Sequence, residues 1–206
     1  GEGDRMKYCC DQADVVVAVS SVLAEKLRAC GTKTPICSIL NGFVLQFDEQ
    51  KEKQPYSMVQ TGSLSEQKRV SVTIRAFAQL KERYPEFTLT LIGSGPERET
   101  LEELCRKLHI DGSVRFLGQL PHGKALDEMS KAQFFVMPSV REGFGIVYLE
   151  AMAFGCITIG TEGEGIVDLI VSGKNGFLVP PDSPKAIVEK VEMCLLHPEW
   201  AKRVAK

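Results

Sequence analysis

No apolar run in this 206-residue chain approaches the ~20 residues that a membrane span requires. No signal-peptide pattern opens it, so a cytoplasmic location is expected. A basic excess is also missing: 25 Lys and Arg stand against 27 Asp and Glu, a formal net charge of −2, which argues against a nucleic-acid partner. The seven cysteines, at 9, 10, 30, 37, 105, 156 and 194, include no C-x-x-C pair. Most lie in apolar contexts, so buried thiols in a reducing compartment are expected rather than a disulfide framework or a zinc site. The adjacent Cys9 and Cys10 read as one face of a helix. There is no repeat of fixed period and no low-complexity tract.

Several catalytic signatures are absent as well. Gly93-Ser94-Gly95 begins like the dinucleotide fingerprint but lacks its third glycine, and Asp111 follows a helix rather than a second strand, which disfavours a dehydrogenase. No Gly-Lys-Ser/Thr completes a phosphate loop, and Gly62-Ser63 has no preceding glycine at the spacing of a nucleophile elbow. His109, His122 and His197 are scattered, and each reads as a helix-terminus or surface residue rather than a base or ligand.

What is present is a regular alternation. At this length a chain buries roughly 70% of its unfolded surface without a metal or disulfide staple, and 44% apolar with 25% charged residues is ordinary for a folded domain. Short segments at 15–19, 36–40, 56–60, 87–92, 114–117, 134–137, 156–160 and 176–179 read as strands, the first of them continuously apolar. Helices are expected over 1–13, 22–29, 70–83, 97–108, 123–131, after residue 144, to 170 and over 183–196. Ser20 or Ser21 can cap the second of these and Gly31 can close it. Between 43 and 55 the pattern turns polar and loses its period, which marks a linker and a domain boundary. Strands separated by helices predict an α/β fold, a Rossmann-like parallel sheet with helices on both faces.

Small or polar residues follow nearly every expected strand: Gly62-Ser63, Gly93-Ser94-Gly95, Gly118, 139–145 and 161–165. In a parallel sheet these loops share one edge, where open α/β folds bind ligands. The stretch SVREGFGIVYLEAMAFG, 139–155, joins the strand at 134–137 to a short helix that Gly155 can end. Glu142 and Glu150 form an E-x7-E pair around a Gly-Phe-Gly turn. The backbone amides of Gly143, Phe144, Gly145 and Ile146 offer an anion seat at a helix start. Carboxylates for hydroxyls beside amides for phosphate suit a nucleotide sugar. Lys68 and Arg69 precede a helix, where cations oppose the dipole; they read equally as a solvated surface pair or as a hint of an anionic partner.

These blocks carry a resemblance. TGSLSEQK at 61–68, LIGSGP at 91–96, VRFLG at 114–118, REGFGIVYLEAMAFG at 141–155 and NGFLV at 175–179 are similar, in order, to the C-terminal donor-binding half of the retaining GT-B glycosyltransferases of family 4. ADVVVAVS at 13–20 and Asn41-Gly42 resemble the end of that family's N-terminal domain. The resemblance implies three parts: 1–42 a remnant of the acceptor-side domain, 43–55 the linker, and 56–206 the nucleotide-sugar domain. It implies Glu142 and Lys68 as catalytic residues, one holding sugar hydroxyls and the other neutralising the leaving diphosphate. Glu150 is implied for the ribose, and Gly143, Phe144, Gly145 and Ile146 for the sugar and diphosphate. Gly62, Ser63, Arg69, Gly93, Gly95, Phe116, Gly118, Gln119, Ser139 and Leu149 complete the implied donor site.

Ser63 stands where the family usually carries arginine, which leaves Lys68, with Arg69, to meet the leaving group. No metal or other cofactor is implied. The expected partners are a UDP- or GDP-sugar donor and a glycan or lipid-linked acceptor bound by the missing N-terminal domain. The resemblance also allows peripheral membrane association of the full-length enzyme. The chain by itself is expected to bind donor and not transfer it. The alternatives are a non-catalytic nucleotide-sugar sensor or subunit, or a sugar-nucleotide epimerase.

Overall fold

Continuous apolar strands set the architecture, because a strand buried on both faces needs covering layers above and below the sheet. The computed structural model describes residues 1–42 and 52–205. In chain order its elements are α1 (Glu2–Asp11), β1 (Val16–Ala18), α2 (Ser21–Ala29), β2 (Ile36–Ser38), β3 (Gln54–Thr61) and α3 (Val70–Arg83). They continue with β4 (Thr88–Ile92), α4 (Arg98–Lys107), β5 (Val114–Gly118), α5 (His122–Lys131), β6 (Ala132–Val136) and α6 (Ile146–Ala153). The last are β7 (Ile157–Thr161), β8 (Phe177–Val179), α7 (Pro184–Leu196) and α8 (Pro198–Val204), with short 3-10 turns at Glu66–Lys68, Asp111–Ser113 and Gly165–Asp168.

Six strands form one parallel sheet in the order β5-β4-β3-β6-β7-β8, and β1 and β2 pair in parallel by themselves. The larger sheet is a doubly wound Rossmann-like arrangement, with the direction of winding reversing between β3 and β6. Alternation along each strand sends successive side chains to opposite layers. Met58, Phe134 and Val136 meet α3, α4, α7 and α8 on one face. Val59, Phe135 and Met137 meet α5 and α6 on the other. Helix α3 shows the coupling most plainly, since Val70, Ile74, Phe77 and Leu80 fall on one side at helical spacing and are all buried.

Capping divides the work of two adjacent serines. Ser20 Oγ accepts the Leu23 N–H at 3.2 Å and caps α2. Ser21 instead donates to Asp168, its backbone N–H to Oδ2 at 2.6 Å and its hydroxyl to Oδ1 at 2.5 Å, fastening α2 to the turn after β7. Gly31 and Gly155 end α2 and α6 with φ of 77° and 73°, as their positions in the sequence predict.

The expected linker meets two findings. Residues 43–51 lie outside the described residues, whereas Gln54 and Pro55 belong to β3 rather than to a linker. The reason is an irregularity in register with β6 between Gln54 and Met58. Proline has no N–H to give a ladder and is tolerated at such a place. Tyr56, at φ 54°, gives its N–H to the Gln133 side chain at 2.9 Å. Helix α8 was not read from the sequence: it is seven residues long, begins on Pro198 at its first turn, and packs Trp200 against Phe177 at 5.6 Å.

All seven cysteines are free. Burial pushes the Cys105 thiol up to about 11 and the Cys194 thiol up to about 12, so both stay protonated and inert. No helix among the described residues is long and apolar enough to cross a membrane.

Candidate functional site

The loops after β3 and β6 meet at the carboxyl ends of the two strands where the winding reverses, the place where open α/β sheets bind ligands. They are sewn together by backbone and side-chain bonds. The Val140 N–H donates to the Gln67 carbonyl at 2.9 Å, and Gln67 Nε2 donates to the Arg141 carbonyl at 3.0 Å. Across this seam Lys68 Nζ pairs with Glu142 Oε2 at 2.5 Å, their side chains only 19% and 15% exposed. Gln60, buried at the end of β3, donates its amide to the Lys68 carbonyl at 2.8 Å and holds that backbone in place. The Lys68 stem lies over Gly62, its Cε 3.5 Å from where a Cβ would stand.

Glu142 is held from behind as well. Its N–H donates to Glu164 Oε2 at 2.8 Å, and its carbonyl accepts the Gly165 N–H at 3.2 Å. Glu164 also faces Lys26 Nζ of α2 at 3.7 Å. The following turn is shaped by Gly145, whose φ is 76° and whose Cβ would lie 2.5 Å from the Tyr148 ring. Only glycine fits both demands. Lacking a side chain, Gly145 leaves the first amides of α6 without a side-chain cap, open to an external acceptor.

Tyr148 anchors this turn from below. It is fully buried, edge-on to Phe135 at 5.6 Å, and its hydroxyl donates to the Met137 carbonyl at 2.5 Å. Burial raises the phenol well above its ordinary value, so it remains a donor. Replacing Tyr148 with Phe is expected to cost about 1–2 kcal/mol, because the Met137 carbonyl is left buried without its partner. Urea denaturation would show this as a lower midpoint at unchanged slope, and an unaltered midpoint would refute it.

Glu150 lies one turn into α6 with its side chain 13% exposed, and its Oε1 is 2.8 Å from His122 Nε2. The two carboxylates therefore sit on the same loop-helix unit with separate partners, Glu142 on Lys68 and Glu150 on His122. Beside them is a cleft of about 360 Å³ whose walls include Gly62, Ser63, Gly93 and Gln119. Gly93 closes one wall by contact: its N–H donates to the Gly118 carbonyl at 2.8 Å, and a Cβ there would lie 1.8 Å from the Gly62 carbonyl oxygen. A larger groove, about 580 Å³, lies at the opposite strand ends between Met152, Phe154, Ile157 and Ala201. Its lining is largely apolar with Lys53 and Lys202 at its edge, and it lies away from the Lys68–Glu142 pair.

Several residues expected at the donor site also have contacts within the fold. Ser139 is completely buried with its hydroxyl 3.2 Å from that of Tyr148, so its side chain supports the turn. Arg69 takes a left-handed conformation, φ 48°, and its guanidinium goes to Glu66 at 3.3 Å and Asp182 at 3.0 Å rather than to Lys68's side of the loop. Gly95 packs under the Leu64 carbonyl, 2.3 Å from its ideal Cβ, and is there for loop contact. The Phe144 side chain is buried, which leaves only its backbone for a ligand. The Phe116 ring is covered by the Arg98 guanidinium, 5.8 Å from its centroid. Leu149 is half-buried on α6. Three residues not read from the sequence, Gln60, Glu164 and His122, hold Lys68, Glu142 and Glu150 in turn. His122 in particular is a partner of the site rather than a bare helix terminus. No local pattern marks these three, because each acts across a tertiary contact.

Comparison with known proteins follows the same lines. The family profile described as "Glycosyl transferases group 1" matches residues 44–206. The chain is 30% identical over 185 residues to N-acetyl-alpha-D-glucosaminyl L-malate synthase of Bacillus anthracis, covering 84% of this chain and 48% of that one. Among solved structures, sucrose-phosphate synthase of Thermosynechococcus elongatus superposes with a TM-score of 0.86 at 26% identity, covering 98% of this chain and 55% of that one. Anabaena HepE in complex with UDP and glucose superposes at 0.85 with 21% identity, over 100% of this chain and 61% of that one, a likeness of fold. The chain spans about half the length, or less, of the curated relatives it matches.

Proposed function

We propose, from the premise that this chain belongs to the group 1 glycosyl transferases, that it is the donor-binding half of a retaining GT-B enzyme of family 4. In this reading a sugar passes from a UDP- or GDP-sugar to a glycan or lipid-linked acceptor. The observation that carries it is the Lys68–Glu142 pair at the reversal of the sheet, flanked by a glycine-walled cleft and the uncapped start of α6. HepE, a neighbour in fold, is described with UDP and glucose bound. Because the relatives are about twice as long, transfer and the acceptor site are proposed for a protein of their length, with 1–42 on the acceptor side and this chain alone binding donor without transferring it.

Each group has a chemical task in this reading. Glu142 accepts hydrogen bonds from hydroxyls of the donor sugar. Lys68 and the α6 amides meet the charge that develops as the diphosphate departs, preorganised electrostatics that need no metal. Glu150 accepts from the ribose hydroxyls. Gly62, Gly93 and Gln119 let the nucleotide approach the backbone at the cleft wall.

Replacing Glu150 with Ala is expected to lower nucleotide affinity by about 1–3 kcal/mol, the range for a hydrogen bond to a charged group and its desolvated partner. Calorimetry with UDP and with GDP measures this directly and also identifies the preferred base. Unchanged affinity for both would overturn the role given to Glu150.

A further inference from the structure

We infer that His122 is a positioning residue for the ribose-binding carboxylate. It fixes one oxygen of Glu150 so that the other faces the vicinal diol of a nucleoside diphosphate. The inference rests on the reading of Glu150 given above.

The geometry supports this in three steps. First, His122 is placed by the cleft itself. The chain leaves β5 at Gly118, whose φ is 69°, and Leu120 and Ala125, on either side of His122, both line the cleft. Pro121, at φ −55°, fixes the entry into α5, where His122 is the first residue. Second, the contact is specific. His122 Nε2 lies 2.8 Å from Glu150 Oε1, and the Glu150 side chain is 13% exposed while that of His122 is 71% exposed. The acid is sheltered and the base reaches in to it from the rim. Third, the arrangement leaves capacity. An ionised carboxylate has about four acceptor positions, and among the described residues no other side chain is bonded to this one. Oε2 is thus left for a ligand.

Imidazole suits the task better than a second lysine would. Facing a carboxylate, Nε2 can donate in either the neutral or the cationic form, so the bond that orients Glu150 does not require a charge on the ring. A free glutamate side chain must be frozen when it binds a diol, at about 0.5–1.5 kcal/mol for an immobilised side chain. A carboxylate already held by His122 has met that cost before the nucleotide arrives.

The test separates ribose recognition from general integrity. Binding of UDP, GDP and their 2′,3′-dideoxy forms is measured by calorimetry for the wild type, His122→Ala, His122→Gln, Glu150→Ala and the double variant His122→Ala/Glu150→Ala. The wild type should prefer the ribonucleotide. His122→Ala should reduce that preference roughly 3- to 10-fold, equal to the side-chain ordering term, while binding the dideoxy form as before. His122→Gln, whose amide donates at similar reach, should recover most of it. In the Glu150→Ala background the His122 change should have no further effect. A wild type without ribose preference removes the role of Glu150 and this inference with it. A wild-type preference that survives in His122→Ala removes the inference alone. Equal losses for ribo and dideoxy forms would show a structural role and overturn it too.

Discussion

Replacing Lys68 with alanine is expected to lower the turnover number of the proposed transferase by about 10²–10³-fold, the usual effect of removing a preorganised group that meets developing charge. Two features make this position sensitive. Ser63 offers no cation where the family usually places one, and the Arg69 guanidinium is committed to Glu66 and Asp182. Lys68 is therefore the cation that this loop turns toward Glu142. The substitution also leaves the sheltered Glu142 carboxylate without its partner. Lys68→Met retains the aliphatic stem over Gly62 and separates the loss of charge from the loss of packing. Steady-state kinetics with the preferred donor should show the fall in turnover in both variants, with a smaller change in donor KM. A turnover number near wild type in either one would remove Lys68 from the leaving-group role.

A single methyl at Gly165 is expected to have the next largest effect. Its Cβ would stand 2.0 Å from the Gly143 carbonyl oxygen and 2.6 Å from the carbonyl carbon, both backbone atoms of the turn between the two carboxylates. A flexible side chain could move aside; these atoms move only if the two loops part. Parting them breaks the Gly165 N–H bond to the Glu142 carbonyl at 3.2 Å and strains the Glu164 clamp on the Glu142 amide. Overpacking of this kind costs about 1–3 kcal/mol, or roughly 2–12 °C in Tm for a chain of this size. Gly165→Ala should therefore melt earlier and bind donor more weakly. Gly112→Ala is the matched control, since nothing lies within 4 Å of its Cβ and its backbone is not left-handed. Equal melting temperatures for the two variants would show that the loops are not in contact as described.

Much of the fold could be read without coordinates. Helix α3 was placed at its observed bounds because its apolar spacing is a property of neighbouring turns. The buried strand β6 announced itself through the apolar run Phe134 to Met137. Some local signals had a second meaning. Proline at 55 looked like linker and is part of a strand irregularity. Ser139 reads as a polar loop residue after a strand, and its hydroxyl is buried against that of Tyr148. Arg69 looked like a partner of Lys68, but its left-handed backbone points it toward Asp182.

The sequence by itself determined the alternation of strands and helices, the glycine turns at the strand ends and the presence of two carboxylates around one of them. Each of these depends on residues within a few positions of one another. Only the tertiary structure decided which groups work as pairs. Lys68 meets Glu142 from 74 positions away and Glu150 meets His122 from 28, because the strand order sets β3 beside β6 and the layers set α5 beside α6. Such pairings are products of packing, in which the free energy of burying whole faces selects the arrangement and the charged side chains are carried to one another by it.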